Sequence, residues 1–174
     1  MLTGTPHFTL AEVAAHTEWP IPLEYQDNAQ ATLEALEVLR ATLGGLPLRL
    51  TSLYRSASGN AATAGSVANS RHLTAQAVDF VPMMDTITGV AQTFAAAQLV
   101  GQVAPFDQLL IEPNPDHVHF DPGGVYGFRN QALVGTPATG WVALTEWVQA
   151  HPAVSAVTAG VTFPDPARAD HARP

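Results

Sequence analysis

The segment FDQLLIEPNPDHVHFDP, residues 106–122, contains two predicted strands that decide the fold. FDQLLIEP is a short, mostly apolar run that indicates a β-strand, and PNP ends it because proline cannot donate a ladder hydrogen bond. HVHFDP follows as a second strand. Alternate side chains of a strand point to opposite faces, so Val118 and Phe120 are predicted to enter the core, while His117 and His119 leave from the other face.

Two earlier segments extend this pattern. In AVDFVP, residues 77–82, Asp79 faces the side opposite to its valine and phenylalanine neighbours, and proline ends the strand. In LPLRLTSLYR, residues 46–55, alternate leucines share one face and Arg55 belongs to the other, polar face. A sheet backed by apolar residues would therefore present one carboxylate and two imidazoles on its open face, near an arginine.

Amphipathic segments predict two helices in the first quarter of the chain. FTLAEVAAHTEW has Thr9 as a plausible N-cap and Glu12 three residues later, which together form a capping box. A longer helix is predicted to start at Asp27 or Asn28, because leucines follow at helical spacing, and two glycines end it.

The remaining segments give weaker predictions. Residues 56–70 are small and polar and predict a loop, and residues 86–104 are rich in alanine and predict a helix. TGWVALTEWVQAH, residues 139–151, predicts a last helix, on which Trp141 and Trp147 either pack against the core or contact a glycan. The end of the chain has the composition of a frayed tail.

Composition excludes several classes of partner and site. The 174 residues carry a net charge of −8, and arginine supplies all seven basic side chains, so no basic stretch is present to bind a nucleic acid backbone. There is no cysteine, which excludes zinc sites built from thiolates. No apolar run is long enough to cross a membrane, and the first residues do not have the pattern of a signal peptide.

SRHLTAQAVDF, residues 70–80, adds a third histidine to the open face of the sheet. His72 lies seven residues before Asp79 and can reach the same place from the loop before its strand. Two histidines and one aspartate suit catalytic zinc, which keeps a fourth position open. Arg55 would then hold a substrate carboxylate or stabilise an oxyanion. Taken singly, each of these residues is more typical of a structural role, such as an exposed histidine or a surface ion pair.

The order of three motifs resembles one family. SLYRSASGN, then ANSRHLTAQAVDF, then FDQLLIEPNPDHVHFDP resemble the zinc D-Ala-D-Ala carboxypeptidase and L-alanyl-D-glutamate endopeptidase family of bacterial and phage cell-wall peptidases, over residues 7–135. The resemblance implies Zn²⁺ as the cofactor. It implies an α+β fold, in which a small antiparallel sheet has helices on one face and a zinc cleft on the other. It also implies a single peptidase domain over residues 1–174, with a C-terminal helix and tail after about residue 136.

The resemblance also implies a role for each matching residue. The zinc ligands would be His72, Asp79 and His119, and Arg55 would bind the substrate or the transition state. Ser70 would support the first ligand and the substrate. Asp116 would be the general base, with Glu112 as the second choice, and His117 would assist catalysis. Asp116 and His119 have opposite strand parity, so a bend at Asp116 is expected.

One position departs from the pattern, because Ala75 stands where the family has glycine. If this position needs a positive φ, alanine costs roughly 1 kcal/mol there.

The expected function is hydrolysis of peptide bonds in peptidoglycan stem peptides, as a carboxypeptidase or as an endopeptidase. The peptidoglycan peptide is the expected partner, reached after release from the cytoplasm or as part of a phage particle. One alternative is a module of the same fold that binds zinc and cell wall, or serves in a phage tail, without catalysis. A metal-free hydrolase is less favoured, because the chain lacks cysteine and a G-x-S-x-G motif.

Overall fold

A six-stranded sheet is the framework of the residues described by the computed structural model, which are 1–83, 86, 89–91, 94–95, 98, 101–113, 116–124, 127–136 and 138–151. Its strands lie in the order β1-β2-β4-β3-β5-β6. In chain order they are β1 Leu48–Ser52, β2 Val78–Pro82, β3 Gln108–Pro113, β4 Asp116–Asp121, β5 Gln131–Thr136 and β6 Gly140–Ala143. The predicted α+β class is confirmed.

The prediction of a purely antiparallel sheet was wrong, because the sheet is mixed. β3 and β4 form an antiparallel pair, but β5 runs parallel to β3 on its other side. β4 and β5 therefore lie on opposite sides of β3, although they follow each other in the chain. The sequence after residue 122 shows no clear alternation, so β5 and β6 were not predicted from it.

The first helix, α1 Leu10–His16, begins as the sequence predicts. The side chain of Thr9 accepts a hydrogen bond from the backbone N–H of Glu12 at 3.3 Å. The Glu12 carboxylate has a different use from the one in a capping box, because it accepts a hydrogen bond from the backbone N–H of Leu50 at 3.3 Å. This contact connects α1 to strand β1.

The second helix, α2 Gln26–Thr42, buries the predicted leucine stripe. Its leucines share one core with the inward-facing residues of the sheet, including Leu50, Phe80 and Val118. After the helix, Gly44 and Gly45 have φ values of 75° and 77°, a conformation that costs glycine little. The opposite face of the sheet remains open.

Two predictions of secondary structure were wrong. The small, polar segment predicted as a loop contains helix α3 Ala57–Ala62, which Ser56 caps by accepting a hydrogen bond from the N–H of Gly59 at 3.1 Å. The predicted last helix is helical only over α4 Leu144–Ala150, because residues 140–143 pair with β5 as β6. In both segments tertiary contacts override a weak local pattern.

In the alanine-rich segment 86–104, the structure describes residues 86, 89–91, 94–95, 98 and 101–104. Of these, residues 89–91, 94–95 and 98 are helical, and Phe94 is buried. The predicted frayed tail, PDPARADHARP at residues 164–174, lies outside the described residues. Among the helices described, none has both the length and the apolar character that crossing a membrane requires.

An ion pair between the buried Asp107 and the exposed Arg129 fixes the start of β5. Arg129 donates to Asp107 through Nε at 2.7 Å and Nη2 at 2.6 Å, a two-pronged contact. These bonds hold the pKa of Asp107 below its ordinary value, although burial opposes the shift. The backbone N–H of Gln131 also bonds to the carbonyl of Asp107 at 3.0 Å, which places β5 beside β3.

Arg129→Gln is expected to lower the free energy of unfolding by about 1 to 2 kcal/mol near neutral pH, because buried Asp107 loses its cation. A carboxylate with a lowered folded pKa stabilises the fold above its unfolded pKa, and this stabilisation is lost as the pH falls through the folded pKa. The difference from the wild type should therefore shrink in acid. Urea denaturation over a pH series measures it. Arg49→Gln, at an exposed position of β1, is the control, and equal losses in both variants would contradict the prediction.

Candidate metal centre

Strands β2 and β4 bring an aspartate and a histidine together on the open face of the sheet. Asp79 and His119 are directly opposite each other in the antiparallel register. Their neighbours Val78 and Val118 are fully buried on the other face, as strand parity predicts. Asp79 Oδ1 lies 2.9 Å from His119 Nδ1, so the two side chains are in direct contact.

His72 joins them from a 3-10 turn, Arg71–Thr74, that precedes β2. The hydroxyl of Ser70 caps this turn by accepting a hydrogen bond from the N–H of His72 at 3.4 Å. The imidazole is buried, and its Nε2 lies 3.2 Å from both Asp79 Oδ1 and His119 Nδ1.

The backbone sets the tautomer of His72. Its Nδ1 lies 2.9 Å from the carbonyl oxygen of Leu53, which can only accept, so Nδ1 carries the proton of the neutral ring. The Nε2 lone pair therefore faces the carboxylate of Asp79. A cation between the Nε2 lone pair and the carboxylate oxygen would stabilise these two electron-rich atoms. The hydrogen bond from Nδ1 to the backbone carbonyl is also typical of histidines that bind metals.

The donor set fits a transition metal such as zinc. His72, Asp79 and His119 each offer one ligand atom, and these atoms lie within 4.8 Å of one another. Two imidazoles and one carboxylate are a set that catalytic zinc sites use, with a further position left for water or substrate. Among the residues that the structure describes, this is the group of histidines and acids that could hold a metal ion.

Electrostatics favour, for His72 and Asp79, the protonation states that metal binding needs. Burial lowers the pKa of His72, which favours the neutral ring. Burial would raise the pKa of Asp79, but the close contacts with His119 and His72 outweigh it and hold this pKa well below the ordinary value.

A bulge in β1 places Arg55 at the same site. The register between β1 and β2 shifts after Leu50, so that Ser52 lies opposite Asp79. Ser52 accepts a hydrogen bond from Nε of Arg55 at 2.9 Å, and Nη2 of Arg55 contacts Asp79 Oδ2. Asp79 thus directs one oxygen to the imidazoles and the other to the guanidinium.

Of the residues proposed for proton transfer, two form a pair beside this group. Glu112 and His117 are opposite each other in the β3–β4 register, and Glu112 Oε1 lies 3.5 Å from His117 Nε2. Asp116 begins β4 opposite Pro113 in the β3–β4 register, and the residues just before it, where the bend is expected, lie outside the described residues. The side chain of Asp116 lies outside the described part of the structure.

A cavity of about 650 Å³ opens over the site. Gln108 and Leu110 of β3 line this cavity, and neither was identified from the sequence. Their alternation along β3, on the same face as Glu112, was a signal that could have identified them. Trp141 of β6 also lines the cavity. A second cavity, of about 520 Å³, continues beyond Arg55 towards Tyr54 and the end of α1.

Ala75 takes the conformation that the resemblance raised as a concern. It has φ 55° and ψ 31°, in the left-handed region, and it is fully buried at the end of the turn that carries His72. Its N–H bonds to the carbonyl of His72 at 3.2 Å, and its carbonyl accepts a hydrogen bond from Thr32 at 2.9 Å. These contacts offset the cost of a side chain at positive φ.

Comparison with known proteins agrees with the motifs. The family model described as Peptidase M15 matches residues 6–121 of the chain, a range that includes the three candidate ligands and Arg55. A search of curated proteins found no match.

Ala75→Gly is expected to change the free energy of unfolding by less than about 1 kcal/mol. Relief of the positive φ is offset by the loss of a buried methyl group and by the greater freedom of glycine in the unfolded chain. Ala77→Gly is the matched control, since Ala77 is also fully buried but has no positive φ. It should destabilise by about 1 to 2 kcal/mol in urea denaturation. Equal losses would show that Ala75 is not strained.

Proposed function

Because the chain belongs to the peptidase M15 family, we propose that it is a zinc-dependent peptidase that hydrolyses peptide bonds in peptidoglycan stem peptides. The observation that carries this proposal is the convergence of His72, Asp79 and His119, whose ligand atoms lie within 4.8 Å of one another beneath an open cavity. The matched family supports a peptide substrate.

The three converging residues would hold the metal. Zinc held by these residues would supply a Lewis acid that activates water for attack on a carbonyl. The register of β2 and β4 fixes Asp79 and His119 relative to each other, and the carbonyl of Leu53 fixes the ring of His72. The ligands are thus oriented before any substrate arrives, which lowers the cost of reaching the reactive geometry.

Arg55 is the residue proposed to stabilise negative charge. A guanidinium keeps its charge at any pH at which the protein is folded, and it offers several N–H donors in one plane. Its bonds to Ser52 and Asp79 hold it at the floor of the cavity. In this position it can donate to the carbonyl oxygen of the substrate as that oxygen becomes negative.

A carboxylate must accept the proton of the attacking water and return it to the leaving amine. Asp116 is proposed for this role because it lies three residues before His119, as the D/E-x-x-H spacing of the family requires. Glu112 is the alternative, because it lines the cavity and pairs with His117. His117 is proposed to assist by donating to the developing oxyanion.

Ser70 is proposed to support the site from the turn that carries His72. Its hydroxyl caps this turn, and the residue also lines the cavity, where the substrate would pass. Whether the enzyme removes a terminal residue or cleaves within the peptide is decided by digestion products.

His119→Ala is expected to lower zinc affinity at least about 100-fold and to abolish hydrolysis, because only two of the three protein ligands remain. Elemental analysis after dialysis measures the zinc, and chromatography of digested peptidoglycan, before and after chelation, measures the cleavage. His7→Ala is the control, since His7 pairs with Glu37 outside the site. Full zinc content and activity in His119→Ala would refute the assignment. A wild type that binds zinc and cleaves nothing would indicate the non-catalytic module.

Asp116→Asn is expected to keep the zinc and to lower the hydrolysis rate by about 100- to 10,000-fold, since it removes the proton acceptor. Glu112→Gln should retain the rate within about 10-fold, because it weakens only the pairing with His117. Single-turnover digestion with zinc-loaded variants provides the comparison. The reverse pattern would assign the proton transfer to Glu112.

A further inference from the structure

We propose that Trp141 is a substrate-binding residue, and that the hairpin of β5 and β6 forms one wall of the substrate cleft. This inference rests on the proposed peptidase function, and it adds a residue that lies beyond the matched range 6–121. The ring is proposed to bind an uncharged part of the substrate that is rich in C–H groups.

The sheet register places Trp141 in the same transverse row as residues next to the metal centre. His117 is opposite Glu112 in the β4–β3 pair. In the parallel β3–β5 pair, Ile111 is opposite Val134, so Glu112 is adjacent to Gly135. Gly135 is in turn opposite Trp141 in the β5–β6 pair. The row therefore runs across four strands on the open face of the sheet.

Gly135 contributes no side chain to this row. It has φ 150°, and an added Cβ would lie 2.0 Å from the carbonyl oxygen of Gly140, so a larger residue does not fit. Between Glu112 and Trp141 the surface of the sheet is therefore bare backbone. This leaves space for the indole to border the same cavity as His117 and Glu112.

The indole of Trp141 borders the cavity, whereas that of Trp147 packs against the core. Trp147, on α4, packs against the buried cluster, and the half-buried Trp141 lines the cavity over the metal centre. The hairpin holds it there, because Thr136 and Thr139 exchange bonds between N–H groups and hydroxyls, both at 3.1 Å. A large aromatic surface on a fixed strand, open to a cavity, is typical of a binding platform.

The neighbours of the ring indicate what it would bind. On this side of the metal centre, β3 contributes Gln108, Leu110 and Glu112 to the cavity lining. The carboxylate of Glu112 pairs with His117 and repels anionic groups. The amide and the aliphatic side chain attract no charged group, whereas an aromatic face packs well against C–H groups. In the proposed substrate, such groups belong either to the sugar ring that carries the stem peptide or to the methyl groups of its alanines.

The kinetic experiment compares zinc-loaded wild type, Trp141→Ala, Trp141→Phe and Val142→Ala. Val142 is next in the same strand, faces the opposite side and is 43% exposed, so its variant controls for disturbance of β6. The substrates are the free stem peptide and the same peptide linked to its disaccharide. Trp141→Ala is expected to lower kcat/KM roughly 10-fold, mainly through KM, while the phenylalanine variant retains most of it.

The two substrates identify the group that is bound. A loss restricted to the disaccharide-linked peptide assigns the ring to the sugar, and an equal loss on both assigns it to the peptide. Wild-type kinetics of Trp141→Ala on both substrates would overturn the inference.

Fluorescence tests the contact without relying on turnover. The chain has three tryptophans, so Trp19→Phe combined with Trp147→Phe leaves Trp141 as the reporter. Rapid mixing with the disaccharide-linked peptide should shift its emission before cleavage, and unchanged emission would count against the inference. If the wild type cleaves neither substrate, the proposed function fails, while this measurement still decides whether Trp141 binds the ligand.

Discussion

The pairing of Asp79 with His119 across strands β2 and β4 is the constraint on which the site depends. Antiparallel strands place opposite residues on the same face, and here the other face is fixed by the buried side chains of Val78 and Val118. A slip of one residue would move the whole apolar set out of the core. The favourable free energy of core burial therefore maintains the contact between the two polar side chains. It also offsets the cost of removing these side chains from water.

The position of His72 is fixed by different contacts, because this residue lies in a turn and not in the sheet. Its turn is held by the N–H of Arg55, which bonds to the carbonyl of His72 at 3.1 Å, and by the carbonyl of Leu53, which binds the ring. Ala75 closes the turn in a left-handed conformation, and Thr32 of α2 bonds to its carbonyl. Helix, turn and strand thus converge on one imidazole. A histidine with this many fixed neighbours is oriented far more narrowly than a loop residue usually is.

Strand parity was the part of the sequence that carried most information. It predicted that Asp79 and His119 point away from the core, because the apolar residues that alternate with them point into it. It could not choose between His117 and His119, since both leave the same face, and only the register shows that His119 is opposite Asp79 whereas His117 is opposite Glu112. The parallel partner of β3 was not predictable either. Strands β5 and β6 have mixed patterns, and their pairing depends on contacts such as Asp107 with Arg129 that are distant in sequence.

The site combines two parts of the chain that carry different kinds of information. The candidate ligands and Arg55 lie within the range that the peptidase family model matches, and their chemistry requires these side-chain types. Trp141 and Gly135 lie beyond that range, on strands added at the far edge of the sheet. The mixed topology allows this division, because a parallel strand beside β3 extends the open face without disturbing the β2–β4 pair. If Trp141 binds the substrate as proposed, changes in the hairpin would alter which substrate enters the cleft while the geometry at Asp79 and His119 stays fixed.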